Sequence, residues 1–365
     1  MQAALRSFRP PFCPNPRCDF HGTPVGWRYR RAGSFRRHQA PRCVPRYQCS
    51  RCKRSFSSQT FSPTYWLKRP ALLARTWDGL LSCAGYRQLA RTYVCSPTTV
   101  MTHAARLGRH ALLFLAAHRP GTAPAEPVVV DGFESFEFSQ FHPLHLNLAV
   151  GARSHFVYAF TDAELRRKGR MTPAQRRQRR RLEARFGRPD PRAIERSMAA
   201  LLRLLAPPGS QLELRSDEHV AYPRAWRQVP EIAVRHRVTP SRRARTAGNP
   251  LFPVNRVDLW LRHSGANHKR ETIAYSKRRA SVVERCAMLC VYLNFQKSFS
   301  EKRRDATPAQ RLGILPTQVR TREVLAARLF PSRVKLPAPW RRYYRRDVAT
   351  RCIPNGNRHR LAYAY

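Results

Sequence analysis

Val128-Val129-Val130-Asp131-Gly132-Phe133-Glu134-Ser135-Phe136 opens on a run of valines and sets an acid directly behind it. β-Branched residues in sequence, following the Pro/Ala linker 120–127, read as a strand buried on both faces, and a carboxylate at its end is held by rigid backbone. The pattern returns in Leu212-Glu213-Leu214-Arg215-Ser216-Asp217. A third acid, Asp258, lies in Val254-Asn255-Arg256-Val257-Asp258-Leu259, on an expected helix packed by Leu259, Trp260 and Leu261. Working outward, 145–150 and 155–160 form a hairpin around Gly151-Ala152-Arg153, and 232–234 reads as the last strand. The order is strand with Asp, hairpin, helix, strand with Asp, strand, helix with an acid. It predicts a mixed-sheet α/β domain over 126–300 with a helical insert over 164–208, basic first (Arg176, Arg177, Arg179, Arg180, Arg181) and amphipathic later (Ile194, Met198, Leu201, Leu202, Leu205).

Charge says what such acids are for. Across 365 residues, 69 Lys and Arg face 22 Asp and Glu, a net charge of +47. So basic a chain attracts polyanions through counterion release, and nucleic acid is the expected partner. A strand-end carboxylate in it is not there for solubility; it is expected to hold a metal. Aspartates on neighbouring strand ends with one acid on a following helix suit two-metal phosphoryl transfer, with Asp131, Asp217 and Asp258 holding two Mg2+ (or Mn2+) ions. No apolar run approaches the ~18 to 20 residues of a membrane span, and residues 1–11 lack the apolar core of a secretory signal. A cytoplasmic, nucleoid-associated protein is expected.

Ten cysteines without a secretory signal argue for metal binding over a disulfide framework. Cys13-Pro14-Asn15-Pro16-Arg17-Cys18 and Cys49-Ser50-Arg51-Cys52 each present two thiolates, closing a structural zinc site in a ribbon over 1–62. The loop between the pairs accommodates a basic hairpin around Trp27, Arg28, Tyr29, Arg30 and Arg31, and Cys43 or His21 can replace a ligand. Cys83, Cys95, Cys286, Cys290 and Cys352 are scattered and read as small core residues.

Residues 63–119 turn helical. Leu72, Leu73, Trp77, Leu80 and Leu81 mark one apolar face; then a short helix over 86–93 leads through a turn to a Ser96 N-cap with Pro97 at the first helical position. That is helix-turn-helix logic: Arg87, Ser96, Thr98, Thr99, Thr102, His103 and Arg106 are expected to face double-stranded DNA, the second helix in a major groove. A plain packing hairpin is the other reading. In the basic extension over 301–365, Ser300-Glu301-Lys302-Arg303-Arg304 and Trp340-Arg341-Arg342-Tyr343-Tyr344-Arg345-Arg346 interleave cations with aromatics, which suits phosphate contact and stacking on distorted DNA ends; a solvated tail fits equally.

The element order is the ribonuclease H-like plan, and the chain resembles the DD(E/D) transposases of bacterial insertion sequences along nearly its whole length. The landmarks are the zinc-ribbon pairs, Ser96-Pro97-Thr98-Thr99-Val100, residues 130–136, Ser216-Asp217-Glu218-His219 and Asn267-His268-Lys269-Arg270-Glu271-Thr272-Ile273-Ala274-Tyr275-Ser276-Lys277. The last is similar to the Arg-x-Thr, aromatic, Ser-Lys block that follows the catalytic helix in those enzymes. The resemblance implies binding of the element's terminal repeats, metal-dependent strand cleavage and transfer, and a homo-oligomer on DNA. One departure stands out: where related groups carry Glu, this chain has Asn255. Asp258, on nearly the same helical face, takes the role, with Glu271 and Glu284 in reserve. Were none to serve, the chain would be a catalytically inactive or domesticated zinc-dependent DNA-binding protein. His219, His236, His263 and His268 lie near the acids in sequence, where a satisfied polar histidine is the commoner case.

Overall fold

The computed structural model describes residues 8–269, 271–300, 302, 305–326 and 328–353. Two sheets organise them. The N-terminal one is antiparallel, β1 (Tyr29–Arg36), β2 (Cys43–Cys49) and β3 (Ser55–Ser57), in that order. It is too small to fold on apolar burial alone: its own cluster holds Cys13, Cys18, Tyr47, Cys49 and Phe56, flanked by Trp27, Tyr29 and Phe61.

Helices α1 (Leu72–Leu81), α2 (Tyr86–Thr92) and α3 (Pro97–Ala117) follow. The Ser96 hydroxyl caps α3 by accepting from the Thr98 amide at 3.2 Å, with Pro97 just inside, as the sequence predicts. From Val100 to Leu115 nearly every α3 residue is buried, because α3 lies against α8 (Arg279–Val291) as well as α1 and α2. A continuous apolar cluster runs from Leu72 on α1 to Val348, so these helices share their core with the larger sheet.

That sheet is β4 (Val128–Phe136), β5 (Pro143–Gly151), β6 (Val157–Glu164), β7 (Gln211–Ser216) and β8 (Ala233–Val238), in the order β6-β5-β4-β7-β8. β4, β5 and β6 are antiparallel; β7 joins β4 in parallel and β8 joins β7 in parallel. Val128, Val129 and Val130 are fully buried at the centre, as a β-branched run covered on both faces requires. β4 is longer than the valines suggest. Asp131 lies in mid-strand opposite Leu148, not at the strand's end, because Phe133 and Ser135 continue the buried face beyond it.

The segment 164–208 is of two kinds. α4 (Pro173–Phe186), started by a Thr172/Gln175 capping box, buries no residue. α5 (Ala193–Leu205) buries Met198, Leu201, Leu202, Leu204 and Leu205, and packs on β5, β6 and α6 (Ala221–Arg227). α7 (Phe252–Ser264) crosses the other face, against β4 and β5. Edge strand β6 is closed by Asn294, whose side chain accepts from the Val157 amide at 2.8 Å and donates to its carbonyl at 2.9 Å.

The Trp340–Arg346 run is a correction. It forms α9 (Ala338–Arg345) and its cap, with Trp340, Tyr343 and Tyr344 buried. Trp340 donates to the Phe160 carbonyl at 3.0 Å and the Tyr343 hydroxyl to Asp162 at 2.5 Å, so these rings cover the sheet and cannot stack on DNA. Glu301, Arg303 and Arg304 lie outside the described residues, as does the tail from 354 on.

Candidate metal centres and nucleic-acid surface

The N-terminal centre is built by two turns. Cys13 and Cys18 come from the loop before a single helical turn at Asp19–Gly22; Cys49 ends β2 and Cys52 sits in the turn behind it. All four sulfurs lie within 4.8 Å of one another, with Cys13 Sγ to Cys52 Sγ at 3.6 Å and Cys18 Sγ to Cys49 Sγ at 4.0 Å. A tetrahedron with Zn–S of about 2.3 Å has edges of about 3.8 Å, so the cage fits zinc closely. Burial pushes the Cys13 and Cys18 thiols up. At Cys49 burial is outweighed by the Trp27 Nε1–H bond at 3.3 Å and the Arg51 and Cys52 amides, which bring the thiol down to about 7. Cys43 stands outside this group. His21 is committed elsewhere, with Nδ1 2.8 Å from the Cys13 carbonyl and Nε2 2.7 Å from the Ser332 hydroxyl.

The acids come together through register. Val128 pairs with Leu214 and Val129 with Arg215 in the parallel ladder, so Asp131 falls level with Asp217, just past the end of β7. Strand alternation puts Asp131 on the face it shares with Phe133 and Ser135, and that face is covered by α7, which carries Asp258, and by the loop behind it. The charges feel one another. Burial, then the Asp217 charge, raises the Asp131 carboxyl to about 6, against the Gly132 N–H, the Tyr222 hydroxyl and Arg245, which lower it. Burial, then Asp131, pushes Asp258 well above the usual carboxylate range, with Arg262 and Arg245 opposing.

Hydrogen bonding leaves the three acids open to a cation. Asp131 Oδ1 accepts from Gly132 N at 2.7 Å and Tyr222 Oη at 3.1 Å, and Asp217 Oδ1 from His219 N at 3.0 Å. Asp258 Oδ1 is buried and has no hydrogen-bond partner, a costly arrangement for an anion without a counter-charge. The donor set is all oxygen, which suits magnesium or manganese. Among the described residues the four cysteines form the only group of three or more potential ligands gathered within 4.8 Å, so the three carboxylates do not close that far.

Of the reserves, Glu284 is buried on α8 and clasped by Arg346 at 2.7 and 2.8 Å, so it is a packing carboxylate. Glu271 is exposed. The block it belongs to is pinned beside β4: Asn267 donates to the Ser276 hydroxyl at 3.1 Å, His268 Nδ1 lies 3.1 Å from the Ser135 hydroxyl, and the Ser276 carbonyl accepts from Phe138 N at 2.8 Å. His236 is satisfied by the Ser216 hydroxyl at 2.8 Å, and His263 packs edge-on against Trp260.

Sequence reasoning missed Tyr222, Arg245 and Arg262. Arg262 is one helical turn beyond Asp258 on α7, a spacing that signals an ion pair; it also stacks over Phe133 at 4.5 Å. Nothing in sequence ties Tyr222 or the loop residue Arg245 to Asp131.

Of the seven residues expected to face DNA on and around α2 and α3, five are not buried and two are. Arg87, Ser96, Thr98 and Thr102 are exposed and Thr99 is half-buried. His103 and Arg106 are corrections. Both are buried, and Arg106 donates to the Pro63 carbonyl at 2.8 Å and to the Tyr65 carbonyl, tying α3 to the segment that leads in from the N-terminal sheet. Burial and the neighbouring Arg106 charge lower His103 to about 4. Neither side chain can reach a groove.

Among the described residues no helix is long and apolar enough to cross a membrane. No protein-family model matches the chain. No curated protein matches it either. Among solved structures it is similar to the cryo-EM structure of the simian T-cell lymphotropic virus intasome in complex with PP2A regulatory subunit B56 gamma, at 12% identity and a TM-score of 0.25, over 65% of this chain and 71% of that one.

Proposed function

We propose that this chain is a metal-dependent DNA transposase of the bacterial insertion-sequence type, with a zinc-stapled N-terminal sheet, a helix-turn-helix for the element's ends and a ribonuclease H-like catalytic domain. The observation that carries the reading is the convergence of Asp131, Asp217 and Asp258 on the α7 face of the sheet, where Asp131 is electrostatically coupled to both others and Asp258 keeps an unpartnered buried oxygen. The sheet order β6-β5-β4-β7-β8, antiparallel and then parallel, supports the ribonuclease H-like assignment. Arg87, Thr98 and Thr102 remain the candidates for DNA contact, on an exposed face of a chain of charge +47.

Divalent magnesium or manganese, held by Asp131 with Asp217 and Asp258, would activate the attacking oxygen and stabilise the leaving 3′ oxygen. The chain's own residues set up that chemistry. Tyr222 and the Gly132 amide fix the Asp131 carboxylate, and the packing of α7 on β4 and β5 fixes Asp258. Cleavage uses water and joining uses a DNA 3′ hydroxyl, each displacing an alcohol oxygen from phosphorus. Assembly of several copies on paired ends belongs to the same proposal.

A zinc-dependent DNA-binding protein without catalysis is the second reading, favoured by the acids' not closing to within 4.8 Å. A two-ion site does not demand that closure, because its ions sit about 3.5–4 Å apart and share only some ligands. Strand transfer decides between the two. DNA carrying the inverted repeats that bracket the coding region is incubated with the chain in magnesium or manganese, and with Asp131→Asn, Asp217→Asn and Asp258→Asn. Each variant is expected to lose at least about a thousandfold in activity while binding the ends normally. Unchanged activity in all three overturns the assignment of Asp131, Asp217 and Asp258, and no activity in the parent leaves the binding protein.

A further inference from the structure

A cleft of about 840 Å³ lies between the N-terminal sheet and the segment leading to α1. Its walls include Arg46 on β2, Arg54 before β3, Phe35 on β1, and Trp66 and Lys68 on the connecting segment, and no Asp or Glu lines it. Trp66 is 80% exposed and Phe35 41%, so two large rings face water in a basic cleft. Trp66 also sits at a φ of 62°, a left-handed backbone that few non-glycine residues adopt. Its neighbour Tyr65 meets it at 6.0 Å and 73°, a contact that still leaves four-fifths of Trp66 exposed. The segment is rigid at this point, since the Tyr65 and Pro63 carbonyls are both held by Arg106 of α3.

From this we infer that the cleft between the zinc-bearing sheet and the Tyr65–Lys68 segment is a seat for an unpaired nucleotide of single-stranded DNA, with its base on Trp66 and its phosphates on Arg46, Arg54 and Lys68. The chemistry selects that occupant. A strand of phosphates matches walls whose charged side chains are all basic, and an exposed indole face can stack on a base only when that base has left its own stack. An acidic peptide would match the charge but gives no use to an exposed indole; a duplex keeps its π-faces internal. The inference does not rest on the acid site and holds for a binding protein as well as for an enzyme.

The test uses the full-length, zinc-loaded chain at physiological salt, with fluorescence anisotropy on a short labelled oligothymidylate and on a blunt duplex of equal length. Trp66→Ala is expected to weaken oligothymidylate binding about tenfold and leave the duplex unchanged, and Trp66→Phe to restore most of the loss. Arg46→Glu with Lys68→Glu should weaken the single strand and flatten its salt dependence. Trp66 is largely exposed, so its truncation opens no cavity, and unchanged zinc content and melting temperature confirm folding. Oligothymidylate binding unaffected by Trp66→Ala, or duplex binding weakened equally, overturns the proposal. Tighter binding of oligouridylate than of oligothymidylate overturns the assignment to DNA. Loss of strand transfer in the aspartate variants with this binding intact separates the two proposals.

Discussion

The Tyr222 hydroxyl donates to Asp131 Oδ1 at 3.1 Å, fixing a carboxylate that Asp217 destabilises and that in turn destabilises Asp258. Such a cluster stores repulsion that an uncharged side chain relieves. Without divalent metal, Asp258→Asn is therefore expected to be more stable than the parent by about 1 kcal/mol. Magnesium reverses the ranking: it should raise the parent's melting temperature through preferential binding to the folded state and leave the variant unmoved. Thermal melts with and without magnesium read both effects. A variant that melts below the parent in the zinc-loaded, magnesium-free state would make Asp258 an ordinary structural acid.

The parts of the fold legible in the sequence are those written in short-range pattern. Val128-Val129-Val130, the turn at Gly151-Ala152-Arg153 and the Ser96-Pro97 cap each carry their structure locally, and the cysteine pairs carry theirs in spacing. Asp217 follows its apolar strand as the pattern suggests, whereas Asp131, behind the valines, lies inside β4. What was illegible depended on contacts between distant segments. His103 and Arg106 look like groove-facing residues on an isolated helix, yet α8, α1, α2 and the 63–65 segment bury α3 from His103 to Leu115. Trp340, Tyr343 and Tyr344 are interleaved with arginines as in a stacking arm, but a helix sorts all three into the interior, where Trp340 and Tyr343 pack on Phe160 of β6. The Tyr222 link to Asp131 crosses 91 residues and has no sequence signal.

Glu137 gives the chain a pH-dependent stability. It is 3% exposed, and burial raises its carboxyl from 4.5 to about 7 despite the bond from the Thr350 hydroxyl at 2.7 Å. Between those two values the folded chain holds a proton that the unfolded chain has released, so this group's contribution falls as pH rises and is lost above about 7. Replacing it with glutamine keeps an acceptor for Thr350 and removes the titration. Glu137→Gln should match the parent near pH 4.5 and exceed it by roughly 3 kcal/mol at pH 8. The difference between the two urea-melt profiles isolates this group from the buried histidines, whose depressed values act at the acid end. A constant difference across pH would mean that Glu137 is ionised in the folded chain.

Gly108 and Glu284 set how closely α3 approaches α8. A Cβ on Gly108 would meet Glu284 Cβ at 2.3 Å and its Cα at 2.8 Å, so the helices touch backbone to backbone there. Glu284 is 2% exposed, and Arg346 clasps both its oxygens while Arg109 approaches Oε1 at 4.0 Å. Gly108→Ala must force α3 from α8, at a cost of about 1–3 kcal/mol or more. Glu284→Gln leaves buried guanidinium groups without their counter-charge and should cost about 3–5 kcal/mol. Both losses belong to folding. Urea melts should show them whether or not magnesium is present, whereas the reserve role that sequence spacing offers Glu284 demands lost strand transfer at unchanged stability. A stable but inactive Glu284→Gln would return it to the catalytic set and break the packing argument for α3 and α8.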